Sequence, residues 1–420
     1  MRLVAFLLCA CALFGQQRLT LEEAVAAALK NNPRVSAEFL TALAANEIST
    51  QARSAFYPTI SAAATGVGSV PDGRIAAGAL NNPIIISRLG LGASVSQLVT
   101  DFGRTRNLVA SARLQAQSQR QYVNATRAQV ALAVYRAYYM ALRTQAVQKV
   151  AEQTVEARQV LADQVNALAS AKLKSGLDVS FAEVNLSEAK ILLASARNEH
   201  RAAQAELSEA MGLPAPQDFQ LTDQAAAEAP PGAPDNLIAT ALAERPELAA
   251  LRLEADASRR LVAAEKALNH PTISAYAAAG GAPAHDDRMR GRYAAAGLGV
   301  TIPVFNGYLF KARQAEANYR ALVADQRAKE VQNTIARDVT LAVLQLDTAY
   351  QNLTLTRRLL DQAQLALDLA QERYKLGLSS FVELSQAQLN STSAEIRIVT
   401  AKYDYLTQQA LLNYQTGQLR

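Results

Sequence analysis

Between Tyr308 and Leu376 the chain runs for nearly seventy residues without a glycine or a proline. As one α-helix at about 1.5 Å per residue the stretch reaches roughly 100 Å, several times the usual three-turn helix of a globular domain. No compact core can bury such a rod, so other rods must cover it. Val339, Leu346, Leu353, Leu360, Leu367 and Tyr374 recur at every seventh position, and Ala342, Ala349, Thr356, Ala363, Ala370 and Gly377 follow three places later. A strict heptad of large then small residues specifies a left-handed coiled-coil seam with closely approaching backbones. Leu341, Thr348, Leu355, Gln362, Leu369 and Leu376 form a second, mostly apolar lane beside it. Two lanes point to a helix flanked on both sides, as in a palisade, where a plain dimeric coiled coil needs one.

Half of the 420 residues are hydrophobic, yet aromatics are few and tryptophan is absent, so much of the apolarity is alanine and leucine in helices. The formal charge of +5 is small, with bases and acids intermixed, which argues against a nucleic-acid groove. Both cysteines, Cys9 and Cys11, fall in an apolar run from Leu3 to Leu13 behind Arg2. That pattern reads as a secretory signal peptide over residues 1–15, too short to span a bilayer. Leu8-Cys9-Ala10-Cys11 also has the shape of a lipoprotein cleavage site, so either Cys11 carries lipid or the signal is cut near Gly15. No later segment has eighteen unbroken apolar residues, so any membrane span must be made of strands.

After the signal, Leu19 to Lys30 reads as a short helix with Thr20 as N-cap and Glu22 and Glu23 in its first turn. Asn31-Asn32-Pro33 breaks it, and a second helix runs from Arg34 to about Phe56, ahead of Pro58. The period then becomes two. Over 59–70, Ile60, Ala62, Ala64, Gly66, Gly68 and Val70 face one way and Thr59, Ser61, Thr65 and Ser69 the other. Over 85–99, Leu89, Leu91, Ala93 and Val95 oppose Arg88, Ser94 and Ser96, which makes those three candidates for a polar, lumen-facing wall. A rod over 104–175, with Met140, Val147, Leu161 and Leu168 in one heptad lane, is turned back at Gly176 into a helix over 177–211.

A Pro/Ala-rich segment, 213–234, divides the chain, and the second part repeats the first. Pro246 answers Pro33 and Pro271 answers Pro58, each 213 residues on. Two further strands read over 272–282 and 293–303. Phe305-Asn306-Gly307 answers Asp101-Phe102-Gly103, a rod covers 308–376, Gly377 answers Gly176, and a return helix covers 378–416. The chain thus reads as two structural repeats, 16–212 and 235–420. Each short helix stacked end to end with a return helix matches a rod in length, so one chain supplies four rod-equivalents and four membrane strands. Four strands cannot close, eight leave an interior filled by side chains, and twelve are the first multiple to leave a lumen. The fold expected is mainly α: a long antiparallel coiled-coil α-barrel continuous with a trimeric twelve-stranded membrane β-barrel.

Leu19-Thr20-Leu21-Glu22-Glu23-Ala24, Phe56-Tyr57-Pro58-Thr59-Ile60, the entries to the two rods and Tyr374-Lys375-Leu376-Gly377-Leu378 together resemble the TolC family of outer-membrane efflux proteins. The likeness extends over essentially the whole mature chain. It implies a homotrimeric exit duct in the outer membrane of a Gram-negative envelope, reaching into the periplasm and docked to a periplasmic adaptor protein and an inner-membrane transporter. The setting is a tripartite efflux pump or a type I secretion system. It also implies a constriction at the periplasmic mouth, which maps by position onto Tyr374, Gly377 and Glu383, with Gly176 at the corresponding turn of the first repeat. Ser379 stands where the family can carry a basic lock, and Gln386 where it can carry a second acid ring. Tyr374 is equally the last large residue of its heptad lane, and Glu383 equally an acid favoured at a helix start.

An enzyme finds no support. His200, His270 and His285 lack ligand spacing, and no cofactor is implied. Gly90-Leu91-Gly92 and Gly297-Leu298-Gly299 lie inside strand patterns and read as close-packing positions, not phosphate loops. His285-Asp286-Asp287 reads as an exposed loop tip, and the few methionines trace no copper path. The competing readings are a periplasmic coiled-coil scaffold or adaptor, which needs no alternating strands, and a porin, which needs no rods.

Overall fold

In the computed structural model, residues 18–69, 87–223, 234–285, 287 and 290–419 are described. The signal segment 1–15, the hairpin loop with Pro71 and Pro83, the middle of the 213–234 segment, and Asp286 and Met289 lie outside them. Along the chain come β1 (Arg18–Leu19), α1 (Leu21–Asn31), α2 (Pro33–Ser54), β2 (Thr59–Val67), β3 (Arg88–Thr100), α3 (Arg104–Ser170) and α4 (Gly176–Ala210). Next are β4 (Gln220–Leu221), α5 (Pro234–Glu244), α6 (Pro246–Ala267), β5 (Thr272–Ala284), β6 (Arg292–Thr301), α7 (Leu309–Lys375) and α8 (Phe381–Gln415). Both rods have 67 residues and both return helices 35. None of the described helices is long and apolar enough to cross a membrane.

Equal lengths fix the register of the duplication and correct two pairings expected from the sequence. Up to the first strand of each hairpin the repeats are offset by 213, but the rods begin at Arg104 and Leu309, an offset of 205. The partner of Gly377 is therefore Lys172, not Gly176. Lys172 (φ 62°) and Gly377 (φ 72°) are the left-handed residues that end α3 and α7. In the first turn Leu173 N–H donates to Leu168 O (2.8 Å), and in the second Leu378 N–H donates to Arg373 O (2.8 Å), the same helix-ending pattern. Gly176 is the first residue of α4, with its φ outside the left-handed range. Likewise Asp101 answers Asn306, not Phe305. Asp101 accepts from Thr105 N–H (2.7 Å), Asn306 from Phe310 N–H (3.4 Å), and each is followed by two left-handed residues, Phe102-Gly103 and Gly307-Tyr308.

The described residues form two compact units that cut across the repeats. The first comprises residues 40–122 and 247–331. Its sheet is antiparallel with the order β2-β3-β5-β6, so the two hairpins join through β3 and β5, and β2 and β6 are left as open edges. On the helical side of this unit, Ser111 Oγ donates to Ala257 O (2.8 Å), Arg313 pairs with the buried Glu265 (2.9 Å), and Arg259 pairs with Asp325 (2.6 Å).

The second unit comprises residues up to 39, 123–246 and 332–419. Thr20 caps α1 in a reciprocal box with Glu23, which buries Leu21, Ala24 and Ala28 against Val130, Val134, Tyr138 and Leu142 of α3 and Leu207 of α4. The seam residues Val339, Ala342 and Leu346 are almost fully buried, as the first heptad lane requires. The second lane is not: Leu341, Leu355 and Leu369 are exposed in the single chain. The segment expected to be a plain linker contains β4, which pairs in parallel with β1. The buried Tyr138 locks that pair, its hydroxyl 2.8 Å from the carbonyls of both Leu19 and Thr222. Beside it Asp223 takes Lys402 (2.6 Å) and the hydroxyl of Tyr403 (3.2 Å), whose pKa is pushed up by burial and then by that carboxylate.

Candidate functional site

Two places carry the chemistry, one in each unit. In the sheet, register sorts every strand into two faces. Ile60, Val95, Ala277 and Ala296 form one cross-strand row, and Ser61, Ser94, Ala278 and Ala295 form the next, on the opposite face. The first row belongs to a face whose larger members are Leu89, Leu91, Leu298 and Val300, all exposed. The second belongs to a polar face. The Ser61 and Ser94 hydroxyls lie 2.8 Å apart, Ser96 stands opposite Thr59, and Arg88 stands at the tip of β3 opposite Val67. The three lumen candidates therefore do share a face.

The same face explains the glycines. A β-carbon on Gly297 would come within 2.8 Å of the Tyr276 hydroxyl oxygen, and one on Gly92 or Gly280 would run into the Tyr293 ring. Tyr276 thus lies across Gly297 of the next strand, and Tyr293 reaches over Gly280 of the next strand to Gly92 of the one beyond, so the close-packing account of Gly92 and Gly297 holds. A β-carbon on Gly299 would touch the Tyr276 ring at 3.6 Å without displacing it, and one on Gly90 would meet only the Thr65 carbonyl oxygen at 3.9 Å.

At the helical turns the second constellation assembles. Ser175 caps α4 in a box with Asp178, whose carboxyl those hydrogen bonds hold below the usual range, and Ser380 caps α8 by accepting from Glu383 N–H (3.3 Å). Glu383 also pairs with Arg373 (3.4 Å). Tyr374 meets Phe381 edge-on (6.2 Å between ring centroids), Phe381 stacks on Phe181 (6.5 Å), and Lys174 Nζ sits 4.3 Å above the Tyr374 ring. Tyr374 and Glu383 are thereby brought to one cluster with Gly377 between them. Gly176 contributes only the start of α4. The Tyr374 hydroxyl and the Ser379 Oγ are buried without a hydrogen-bond partner among the described residues. Gln386 is tied to Asn390 (3.0 Å).

Sequence reasoning passed over Arg158. It is buried on α3, with a guanidinium N–H donating to Gln388 of α8, and burial lowers its pKa while Glu188 of α4 opposes the shift. It sits in the small-residue lane Thr144, Ala151, Arg158, Val165, where the second repeat has Ala363. The signal was there: a charge in a lane whose other members are apolar or small.

The family model described as "Outer membrane efflux protein" matches residues 24–213 and again 237–418. The chain belongs to the outer membrane efflux protein family. It is 28% identical over 99% of its length to the outer membrane efflux protein BepC of Brucella suis, covering 89% of that protein. To the toluene efflux pump outer membrane protein TtgC of Pseudomonas putida it is 25% identical, over 86% of this chain and 75% of that one. The crystal structure of the Campylobacter jejuni CmeC outer membrane channel superposes with a TM-score of 0.82 at 15% identity, covering 95% of this chain and 85% of the other. This outer membrane efflux protein has their fold, mainly helical with a membrane β-barrel, and is an outer-membrane channel that reaches into the periplasm.

Proposed function

We propose that three copies of this chain close into a twelve-stranded barrel and serve as the exit duct of a tripartite pump or type I secretion system. Substrate would enter from an inner-membrane transporter and its periplasmic adaptor and leave passively across the outer membrane. The observation that carries this is the four-stranded sheet, apolar on one face, polar on the other and open at both edges. Open edges are not tolerated in lipid, two copies leave no lumen, and three do. The exposed lane through Leu341, Leu355 and Leu369 offers each α7 the second neighbour that a closed ring needs. The toluene-pump relative, named as the outer-membrane component of a pump, supports the pump setting. Mass determination of the detergent-solubilised protein, with conductance in planar bilayers, is expected to give a trimer that forms small, cation-preferring channels. A monomer that never conducts overturns the proposal.

The periplasmic gate is proposed at Tyr374, Gly377 and Glu383. Among the described residues the Tyr374 hydroxyl has no partner, so Tyr374→Phe is expected to leave stability within about 1 kcal/mol of the parent. Glu383→Gln frees Arg373 and removes an acid from the mouth. The double variant is expected to change single-channel conductance and cation preference while thermal stability barely moves. Unchanged conductance and selectivity would leave Tyr374 as a packing residue and Glu383 as a helix-start acid.

A further inference from the structure

The polar row of Ser61, Ser94, Ala278 and Ala295 has a neighbour on either side that shares its face. Toward the helices lies Thr59-Ser96-Tyr276-Gly297, and toward the hairpin ends lies Ala63-Gly92-Gly280-Tyr293. Apart from the two tyrosines these three rows hold only glycine, alanine, serine and threonine, and no charge. The orientation of the Tyr276 ring follows from its contacts. Its long axis runs from β5 across to β6, where the hydroxyl oxygen would lie 2.8 Å from a β-carbon on Gly297. Its two edges point along β6, Cε2 toward Gly297 (3.2 Å) and Cε1 toward Gly299 (3.6 Å). Both in-plane directions thus run parallel to the sheet, so the ring lies with one face on the strand. Tyr276 is nevertheless 53% exposed, which leaves its other face open. Tyr293, equally exposed, lies low along its own row over Gly280.

We propose that the Tyr276 ring, with Tyr293 one tier above it, is a stacking platform in the lumen for flat aromatic groups on departing cargo, cationic ones above all. It rests on the proposed trimer with the polar face inward. Three copies set three Tyr276 faces around the passage at one level and three Tyr293 rings about 13 Å further out. In these rows every other side chain offers a departing molecule a hydrogen, a methyl or a hydroxyl, so the rings are the extended apolar surfaces there. A π-face carries partial negative charge and draws cations, and offset stacking adds contact that an aliphatic group of the same charge cannot match. No carboxylate stands in these rows to hold a cation by charge alone. The platform therefore separates aromatic from aliphatic cations, whereas the acid proposed at the mouth, Glu383, attracts both. Glycine at 297 lets the ring rest on the backbone, so the platform takes little width from the passage.

The test uses the full protein in planar bilayers at low salt, comparing block by N-methylquinolinium with block by tetramethylammonium. The aromatic cation is expected to half-block at a concentration about threefold lower or more. Tyr276→Leu with Tyr293→Leu keeps apolar bulk and removes the π-faces. The pair is expected to raise the half-blocking concentration of N-methylquinolinium about threefold to fivefold and to leave that of tetramethylammonium unchanged. Phenylalanine at both positions is expected to change neither. Channels that conduct but do not distinguish the two cations, or whose preference survives leucine, overturn the platform, leave the tyrosines as covers over glycine and leave the duct standing. A protein that does not conduct at all overturns the duct, and the platform with it. Should the leucine pair fail to insert, Tyr276→Leu alone is read in its place, with a rise of about twofold expected and no rise decisive against the platform.

Discussion

An Ala277→Arg variant is expected to fail to assemble in the outer membrane, while Ala278→Arg, one residue on, assembles and conducts less. Ala277 lies in the apolar row with Ile60, Val95 and Ala296, and Ala278 in the polar row with Ser61, Ser94 and Ala295. A charge on the lipid face of a barrel strand costs about 2–4 kcal/mol near the midplane, and a trimer incurs that three times. On the polar face the same side chain enters water and only narrows the passage. Because neighbouring residues of a strand point oppositely, the pair tests the facing of the whole sheet at one position. Heat-resistant trimer in outer-membrane fractions and bilayer conductance are the readouts. Equal behaviour, or the reverse order, would mean that the polar face is not the lumen.

Gly212→Ala is expected to destabilise the protein by about 3 kcal/mol, against about 1 kcal/mol for Gly377→Ala. Both glycines have positive φ, 73° and 72°. What differs is the surroundings. A β-carbon at Gly377 meets nothing within 4 Å, whereas at Gly212 it would come 2.8 Å from the Asn32 Cα and 2.9 Å from Asn31 C, main-chain atoms that cannot swing away. Asn32 is itself fixed, donating to Ala210 O (3.3 Å) and accepting from Arg34 N–H (2.9 Å). The second repeat carries the same contact between Gly417 (φ 78°) and Glu244, the latter occupying the place of Asn31. Thermal unfolding followed by helical circular dichroism checks the difference. Equal losses would show that the α1–α2 junction yields to the added atom.

The long-range plan was legible because it rests on repetition. A seventy-residue run without breakers, heptad lanes and period-two strands each leave a strong imprint, and in a duplicated chain each does so twice. What misled was local likeness. Lys-Ser-Gly-Leu and Lys-Leu-Gly-Leu look like the same turn, yet the left-handed residue is Lys172 in one and Gly377 in the other. A lysine can adopt that conformation at a cost of about 1–2 kcal/mol, so composition alone does not locate the turn. The β1–β4 pair escaped because two residues carry no period. The clustering of Lys174, Tyr374 and Phe381 also escaped, since they come from segments of the chain about two hundred residues apart.

That separation has a bearing on how the channel is made. Within each hairpin, partners such as Ala62 and Ala93, or Ala277 and Ala296, are close along the chain and can meet soon after they emerge. The β3–β5 seam is different: Gly92 faces Gly280, with the whole first rod, its return helix and α5 and α6 in between. Closing so long a loop is slow, and until it closes each hairpin exposes two bare edges. A chain whose hairpins pair before that seam would pass through a stage with two unjoined ribbons. A periplasmic holdase or insertase that shields strand edges would act on that stage, and a truncation ending before Thr272 would leave the first ribbon permanently without its mate.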